Sequence, residues 1–440
     1  MTLGRDLNHK IWRLAWPMII SNLSVPMLGL VDTAILGHLE NAQYLAAVAV
    51  GGSILAFLYW GFGFLRMGTT GLTAQAFGAD NHPQSRLIAG QSILLGLGIG
   101  LVIVFLSPFL LMLGLFLVVP PAGGYELAMN YAQIRIFSAP AVLVNYAIVG
   151  WFIGQQNTRW PLLITVFTNA LNVGLDFLLI IGLDMKSEGA AIATLIAEYS
   201  GCGLALLLLS KAMGQQQGTS IRLAQLLHWP DYRQLLVVNR HLFVRTMVLL
   251  ACFAFFTAQG SSQGDIVLAA NTLIMNLLLL TSFGLDGFAH AAEALTGDAA
   301  GQRNRQRFLA TCRQCALWSL ITAGLFTLLF AVAGSQLIGL LTSINAVQAE
   351  ALRYLPWLLL LPFTAVWSYL LDGIFIGTTQ TAAMQNSMLL SALLVYLPCW
   401  YFSQQWGNHG LWFAFIAFNL ARGLSLAVIF YRNNRRQSWW

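Results

Sequence analysis

Long uninterrupted apolar segments dominate the chain. A membrane-spanning helix needs about 20 mostly apolar residues, whereas a barrel strand alternates apolar and polar positions over about ten. The apolar segments here are continuous and rich in Leu, Ala and Gly, which predicts helices rather than strands. The sequence predicts twelve spans, at approximately 14–38, 45–77, 87–113, 125–154, 159–183, 188–210, 238–262, 265–297, 308–333, 350–377, 383–403 and 408–431.

One polar segment interrupts this pattern between the sixth and seventh spans. Residues 211–236 contain several Gln and Gly residues, basic residues and a Trp-Pro-Asp turn. Such a composition is typical of a linker between two packed units. We therefore predict an amino-terminal six-helix lobe at 1–210, a cytoplasmic interlobe linker with a short surface helix at 211–236, and a carboxyl-terminal six-helix lobe at 237–440.

The two halves resemble each other when the second is aligned with the first. Leu45-Ala46-Ala47 then meets Leu268-Ala269-Ala270, and Gly150-Trp-Phe-Ile-Gly154 meets Gly373-Ile-Phe-Ile-Gly377. Both matches have the same offset in residue number, the repeat offset. Six spans per half is an even number, so both halves insert with the same orientation. The predicted fold is an all-α integral membrane protein of twelve transmembrane helices, in two six-helix lobes related by a parallel internal repeat.

Composition supports this class and excludes others. Of 440 residues, 58% are hydrophobic and 9% are charged, against about 25% charged in a typical soluble domain. Secreted disulfide scaffolds, nucleic-acid binders and cytosolic enzymes do not fit these values. The five cysteines fall in or beside apolar segments, which predicts free buried thiols, and the pair Cys312 and Cys315 begins an apolar helix rather than a redox unit.

The distribution of basic residues predicts the orientation. If the amino terminus is cytoplasmic, the inner side carries 17 of the 22 Lys and Arg residues, Arg245 among them. Two lie in outer loops and three (Arg66, Arg135 and Arg422) lie within spans. Because positive charge accumulates in cytoplasmic loops, both termini are expected to be cytoplasmic.

Ionisable side chains inside spans are the first candidates for function, because each costs free energy to insert. Asp32, Asp176, Tyr131 and Thr194 lie six or seven residues from the predicted outer ends of four spans of the first lobe, and Asn172 lies one turn below Asp176 on the same face. At 1.5 Å per residue, all five come to about 9 Å below the outer surface. The sequence therefore predicts one cation-coupling site built from these five residues.

Two chemistries and one structural role fit this set. Oxygen atoms of Asp32, Asn172, Asp176 and Thr194 can bind Na⁺. The two carboxylates can instead share a proton, because burial and a neighbouring like charge both favour the protonated form. The set can also be a polar network that only holds helices together. The sequence leaves all three open, and no other metal site or cofactor is predicted.

Further candidates lie on the same helix and in the second lobe. Pro17 and Pro26 each remove a backbone hydrogen bond of the first span and permit it to bend. The repeat offset carries Asn172 to Val395 and Asp176 to Cys399, so the second lobe has no copy of the cluster. Secondary proton or substrate sites, or helix-pairing groups, are expected at Glu198, Asp286, Glu293 and Asp372, with His290 beside them.

The first span closely resembles that of the multidrug and toxic compound extrusion (MATE) transporters, and most closely their DinF-type branch. The resemblance is carried by Trp16-Pro17-Met-Ile-Ile-Ser-Asn22 and by Pro26-Met-Leu-Gly-Leu-Val-Asp32-Thr-Ala-Ile-Leu-Gly37-His38. It extends over nearly the whole chain, through Gly71-Leu-Thr-Ala-Gln75-Ala-Phe-Gly78, Asn172-Val-Gly-Leu-Asp176, Gly189-Ala-Ala-Ile-Ala-Thr194, Ala197-Glu198-Tyr199 and Leu371-Asp372-Gly373-Ile-Phe-Ile-Gly377.

The resemblance implies a V-shaped antiporter of the bacterial inner membrane that expels amphipathic, often cationic compounds as H⁺ or Na⁺ enters. It implies that Asp32 is the principal coupling acid, with Tyr131, Asn172, Asp176 and Thr194 in its polar network. It also implies that Pro17 lets the first span bend when Asp32 is protonated. The NorM-type branch places a cation site in the second lobe, and that set of residues does not align here.

Three functions follow as hypotheses. The leading one is a monomeric, cation-coupled exporter of small amphipathic or cationic substrates, in contact with membrane lipids and not with nucleic acid. The alternative is a flippase for a lipid-linked precursor, although flippases of that kind usually carry a strongly basic cavity. A membrane-embedded enzyme is the third, but the sequence has no HExxH, P-loop, GxSxG or dinucleotide motif, so no catalytic residue is expected.

Overall fold

The protein is described by a computed structural model that covers residues 2–37, 42–118, 124–215, 223–226 and 228–439. Within these residues the regular structure is helical, and no strand occurs. Twelve helical segments are long and apolar enough to cross a membrane. The predicted all-α fold with twelve transmembrane helices is therefore confirmed.

Spans 1 to 6 are numbered in chain order. Their helices are Thr2–Gly37 in span 1, Ala42–Gly61 and Phe64–Gly78 in span 2, His82–Phe105 in span 3, Tyr125–Arg135 and Ala139–Gly154 in span 4, Arg159–Asp176 and the π-helix Phe177–Gly182 in span 5, and Lys186–Gln215 in span 6.

Spans 7 to 12 follow a short helix, Leu223–Leu226, in the predicted linker. Their helices are Trp229–Ser261 in span 7, Asp265–Gly301 in span 8, Arg305–Leu341 in span 9, Asn345–Gly377 in span 10, Thr381–Leu390, Ser391–Tyr396 and Leu397–Ser403 in span 11, and Asn408–Arg436 in span 12.

The third predicted span is two separate helices in the structure. The sequence predicts a continuous helix over 87–113, but span 3 ends at Phe105 and a separate helix occupies Ser107–Leu117. Pro108 lies at the start of this second helix. Because proline has no backbone N–H and clashes with the preceding turn, the helix ends just before it and starts again.

One of the arginines counted on the inner side is buried within a span. Arg245 was counted among the residues of the inner side, but it lies within span 7 and is 6% exposed. Its guanidinium group forms an ion pair with Asp372, and this pairing offsets the cost of placing the charge inside a span. The orientation stays a prediction.

The internal repeat is visible in the backbone at the repeat offset. Spans 2 and 8, spans 4 and 10, and spans 5 and 11 each end in a residue with positive φ, which is a common way to end a helix. These pairs are Asp80 (53°) with Arg303 (51°), Gln156 (57°) with Thr379 (55°), and Asp184 (52°) with Gly407 (55°). Asn81 and Asn304, which follow the first pair, each cap the next helix through their side-chain oxygen.

The repeat also extends to how helices pack. In the first half, Gly150 of span 4 lies against the backbone of Arg66 in span 2. In the second half, Gly373 of span 10 lies against the backbone of Ala289 in span 8, where a Cβ would be 2.5 Å from the carbonyl oxygen. The repeat offset relates the two pairs. Each half therefore needs a glycine where these two spans cross closely.

The chain divides into two compact units, each with most of its contacts within itself. One unit runs from Ile20 to Leu235, and the other contains the residues from Leu236 onward together with those up to Ile19. The sequence instead placed all of span 1 in the amino-terminal lobe, whose limits stay a prediction. In the second unit, Trp12 packs edge-on against Phe288 (5.3 Å) and Trp318 (5.0 Å), and Asn8 accepts a hydrogen bond from the Trp318 indole N–H.

A substitution at Gly373 tests the helix crossing. Gly373→Ala should lower the free energy of unfolding by about 1–3 kcal/mol, because the new methyl group meets fixed backbone atoms. Thermal unfolding of the purified protein in detergent measures the effect. The control is Gly339→Ala in span 9, where no atom lies within 4 Å of the added Cβ. Equal stability of the two variants would contradict the close crossing.

Candidate functional site

The predicted coupling site has its most buried part on span 5. Asn172 and Asp176 lie one helical turn apart and are each 1% exposed. A polar residue and an acid this deeply buried need partners inside the protein, since no water or lipid headgroup reaches them. Their position on one face directs both side chains to the same neighbours.

Span 6 supplies the first of these neighbours. The Asn172 amide nitrogen donates a hydrogen bond to the Thr194 hydroxyl oxygen at 3.2 Å. The Thr194 hydroxyl in turn donates to the Ala190 carbonyl one turn earlier, at 2.9 Å. The hydroxyl group is therefore oriented by its own helix, and its oxygen is turned towards Asn172.

The Asn172 side chain has an acceptor that is not used. Its Oδ1 atom is buried and has no hydrogen-bond partner among the described residues. A buried carbonyl oxygen without a donor costs about 1–3 kcal/mol. Asn172 therefore presents a free acceptor one turn from the Asp176 carboxyl, which is the arrangement that a proton donor or a small cation would satisfy.

Tyr131 belongs to the same region of the first lobe. It forms one hydrophobic cluster with Ile35 and Leu36 of span 1, Ile180 of span 5, and Ala190 and Ala191 of span 6. The tyrosine ring also packs against Gly51 of span 2, where a Cβ would be 2.7 Å from the ring. The four spans predicted from depth therefore meet here, and span 2 joins them through a glycine that the sequence analysis did not single out.

Asp32 lies on span 1 one turn before this cluster, since Ile35 and Leu36 follow it by three and four residues. Its side chain lies outside the part of the structure that is described. The helix itself runs without interruption from Thr2 to Gly37, through both Pro17 and Pro26. Tyr131, Asn172, Asp176 and Thr194 thus lie in one region of the first lobe, and the backbone of Asp32 reaches it.

Hydrogen bonds attach the middle of span 1 to span 5. The Ser21 hydroxyl donates to Thr165 at 2.9 Å, and the Asn169 amide donates to the Ser24 hydroxyl at 3.1 Å. Both contacts lie between the two prolines, and Asn169 lies one turn before Asn172. A displacement of span 1 is therefore linked by direct contacts to the helix that carries the buried acid.

Glu198 lies in a separate polar group of the first lobe. Its carboxylate is 3.8 Å from the Arg135 guanidinium group. Tyr59 covers this pair: its ring lies under the guanidinium group, and its hydroxyl is 3.1 Å from the Ser138 hydroxyl. The Arg135–Glu198 pair thus links spans 4 and 6, and Tyr59 and Ser138 are contributors that the sequence did not indicate.

The second lobe has a different arrangement around Asp372. Its Oδ2 atom accepts hydrogen bonds from Arg422, at 2.9 Å, and from Arg245. His290 and Glu293 form a second pair, with 3.3 Å between their nearest atoms. Asp286 is partly buried on the same helix as that pair. The in-span arginine at 422 was visible in the sequence, but nothing there indicated its partner.

The charges of the two lobes therefore differ. Asp372 pairs with two guanidinium groups, whereas the other members of the predicted site that contains Asp176 are an amide, a hydroxyl, a phenol and a second acid, Asp32. Within the described residues, no three His, Cys, Asp or Glu side chains cluster as a metal site. The five cysteines are free, and four of them are buried.

Solved structures with the same fold identify the class of protein. An outward-facing multidrug resistance MATE transporter of the MOP superfamily matches with a TM-score of 0.89 at 19% identity, over 98% of this chain and 97% of that one. A mutant of the Vibrio cholerae MATE transporter VcmN matches with a TM-score of 0.88 at 21% identity, over 100% and 99%. The fold is that of a MATE transporter.

Sequence comparisons then give the family. The MatE family model matches residues 17–178 and again residues 242–402, once in each half of the repeat. The DNA damage-inducible protein F of Escherichia coli is 42% identical over 98% of this chain and 94% of its own length. A probable multidrug resistance protein NorM of Thermotoga maritima is 24% identical over 74% of this chain and 71% of its own.

The chain therefore belongs to the MatE family of multidrug and toxic compound transporters, in its DinF-type branch. Family and fold make it a multi-pass membrane transporter and not an enzyme. The resemblance seen in the sequence is confirmed.

Thr194 offers a test of the hydrogen bond inside the predicted site. Thr194→Val keeps the shape of the side chain but leaves the buried Asn172 amide without its acceptor, which should cost about 1–3 kcal/mol of stability. Thr194→Ser keeps the hydroxyl and serves as the matched control. Thermal unfolding in detergent compares the two, and a valine variant as stable as the serine variant would show that the bond contributes nothing.

Proposed function

We propose that the protein is a monomeric antiporter of the bacterial inner membrane that exports small amphipathic, mainly cationic compounds in exchange for H⁺ or Na⁺. Both termini lie in the cytoplasm, and the protein needs no cofactor besides the coupling ion. Membership of the MatE family supports export of drugs or toxic compounds. The direction of coupling and the residues that carry it are the new part of the proposal.

One observation carries the assignment of the coupling site. Asp176 is buried one turn from the Asn172 amide oxygen, which has no hydrogen-bond partner among the described residues, on a helix that is attached to span 1 by two hydrogen bonds. Binding of a cation to a buried acid changes the local net charge. Such a change inside a span is costly enough to favour a different helix arrangement.

The transport cycle follows from this coupling. A cation from outside binds at Asp32 and Asp176 and removes negative charge from the site, so a cationic substrate held there is released outward. Span 1 then changes its bend near Pro17 and Pro26. Loss of the cation to the cytoplasm restores the carboxylates, which attract the next substrate. Substrate and coupling ion thus compete for the same acidic groups, and rearrangement of span 1 couples their opposite movements.

Transport by the purified protein in liposomes tests the proposal. A fluorescent dye cation should move against its gradient when a pH gradient or, separately, a Na⁺ gradient is imposed, and the gradient that drives it names the coupling ion. The control is the same liposomes with the gradient dissipated. Correctly inserted protein that moves no dye under either gradient would overturn antiport and favour a flippase for a lipid-linked precursor.

Substitution of the acids tests the site. Asp32→Asn should abolish gradient-driven dye movement while the protein stays folded and inserted, because the amide cannot take up the coupling cation. Asp372→Asn should reduce transport less, since that acid is already held by two arginines. Intact transport by well-inserted Asp32→Asn protein would refute the assignment. An equal or larger loss in Asp372→Asn would move the site to the second lobe.

A further inference from the structure

A groove lies between the amino-terminal part of span 1 and the first turns of span 9. It has a volume of about 540 Å³ and is lined by Leu7 of span 1 and by residues of span 9, among them Ala310, Arg313, Ala316 and Leu317. These residues all belong to the compact unit that contains the chain from Leu236 onward together with the residues up to Ile19. We call this feature the Arg313 groove, after the charged residue of its lining.

The charge of Arg313 has no counter-ion in the protein. The residue is exposed, and its side chain forms neither an ion pair nor a hydrogen bond within the residues that the structure describes. Two other arginines of the same helix do have partners: Arg305 donates to Asn434, and Arg307 pairs with Asp298. Because arginine keeps its charge and carries five N–H donors, Arg313 has unused capacity to bind an anion.

Arg313 also lies further along the span than those two arginines. Six residues separate it from Arg307, which is about 9 Å along the helix axis. Trp318 follows five residues later and packs against Trp12, with 5.0 Å between the ring centroids. Tryptophan concentrates where lipid headgroups meet the hydrocarbon. A helical side chain tilts towards the amino-terminal end of its helix, so the Arg313 guanidinium group extends back towards the headgroups.

The exposed face of span 9 is apolar beyond Arg313. Five exposed residues follow it at helical spacing: Leu317, Ile321, Leu325, Leu328 and Val332. Residues three or four apart lie on one face of a helix, so the charge and the apolar stripe are in line. An exposed apolar face on a membrane-spanning helix is covered by lipid chains. Half of the hydrocarbon core, about 15 Å, corresponds to about ten residues of this helix.

We propose that the Arg313 groove binds an anionic phospholipid, with the lipid phosphate at Arg313 and an acyl chain along Leu317. The planar fork of a guanidinium group can bind two phosphate oxygens at once. Gln314 also lines the groove, and its side-chain amide has no partner within the described part of the chain, so it can donate to the same headgroup.

The order of groups on this face favours a lipid over a protein partner. A phospholipid has an anion followed by apolar chains, and the face has Arg313 followed by an apolar stripe. A second copy that packed through the same face would bury this charge against apolar residues without an anion. Because both termini are proposed to be cytoplasmic, the lipid comes from the inner leaflet, where basic pockets bind anionic headgroups. The site goes beyond the proposed function, and lipid binding requires no ion gradient.

Native mass spectrometry of the full-length protein tests the lipid preference. Phosphatidylglycerol and phosphatidylcholine with identical acyl chains are titrated separately, and the Kd of the first bound lipid is compared. Phosphatidylglycerol should bind about fivefold more tightly, as expected for one basic residue near the membrane surface. Glycerophosphoglycerol, which is the same headgroup without chains, should not displace it. Equal binding of the two lipids, or displacement by the free headgroup, would overturn the proposal.

Charge variants locate the preference. Arg313→Gln should abolish it, and Arg313→Lys should retain part of it, because lysine keeps the charge but not the fork. Arg432→Gln is the matched control. Arg432 is also exposed and has no side-chain partner among the described residues, but it does not line the groove. A preference that survives in Arg313→Gln, or that is lost equally in Arg432→Gln, would refute the assignment.

Ala316→Trp tests the groove without changing the charge. The larger side chain should fill the groove and weaken phosphatidylglycerol binding, while thermal unfolding checks that the protein stays folded. Phosphatidylglycerol with a photoreactive diazirine on its acyl chain, in phosphatidylcholine nanodiscs, should label the segment 310–320, and Ala316→Trp should remove that label. Labelling confined to other segments would contradict the site. A dimer that Ala316→Trp disperses would show instead that a second copy covers the groove.

Discussion

A bilayer offers no hydrogen bonds to groups inside it, and this constraint organises the protein. Every backbone N–H and C=O within a span must be satisfied by the protein, which explains why the regular structure of the described residues is helical. The same constraint applies to side chains. Asn172, Asp372 and Glu198 each lie with polar partners drawn from other spans. Within the part of the chain that the structure describes, the Asn172 oxygen and the Arg245 Nε atom are buried without such a partner.

The two halves use one backbone for different chemistry. Positive-φ helix ends, asparagine caps and glycine crossings recur at the repeat offset. The polar residues do not: Asp176 corresponds to Cys399, and Arg422 corresponds to Tyr199. The two halves therefore share the helix ends, caps and glycine crossings on which backbone packing depends. Their interior polar side chains differ. The predicted site of the first lobe contains acids and no arginine, and the second lobe holds an acid between two arginines.

The sequence was sufficient for the features that depend on local pattern. Twelve apolar segments predict twelve helices, because hydrophobic length and backbone satisfaction leave few alternatives. Distance from the span ends brought Tyr131, Asn172, Asp176 and Thr194 to one depth, and the structure places these four residues in one region of the first lobe.

Features that depend on tertiary contact could not be predicted. Nothing local indicates that Arg245 forms an ion pair with Asp372. Nothing local indicates that Gly51 must admit the Tyr131 ring, or that Arg422 and Arg245 share one oxygen. The π-helix over Phe177–Gly182, directly after Asp176, is a shift in backbone hydrogen bonding that no residue pattern predicts.

The contrast between the lobes bears on which acid can couple transport to an ion. A coupling acid must gain and lose a cation in each cycle, and each change must alter the balance between helix arrangements. At Asp372 two fixed guanidinium groups already balance the charge, so gain of a cation there would leave two arginines without their counter-ion. The predicted site around Asp176 has no arginine among its five members, and Ser21 and Ser24 link span 5 to span 1. A change of charge at that site is therefore linked mechanically to the helix that carries Asp32.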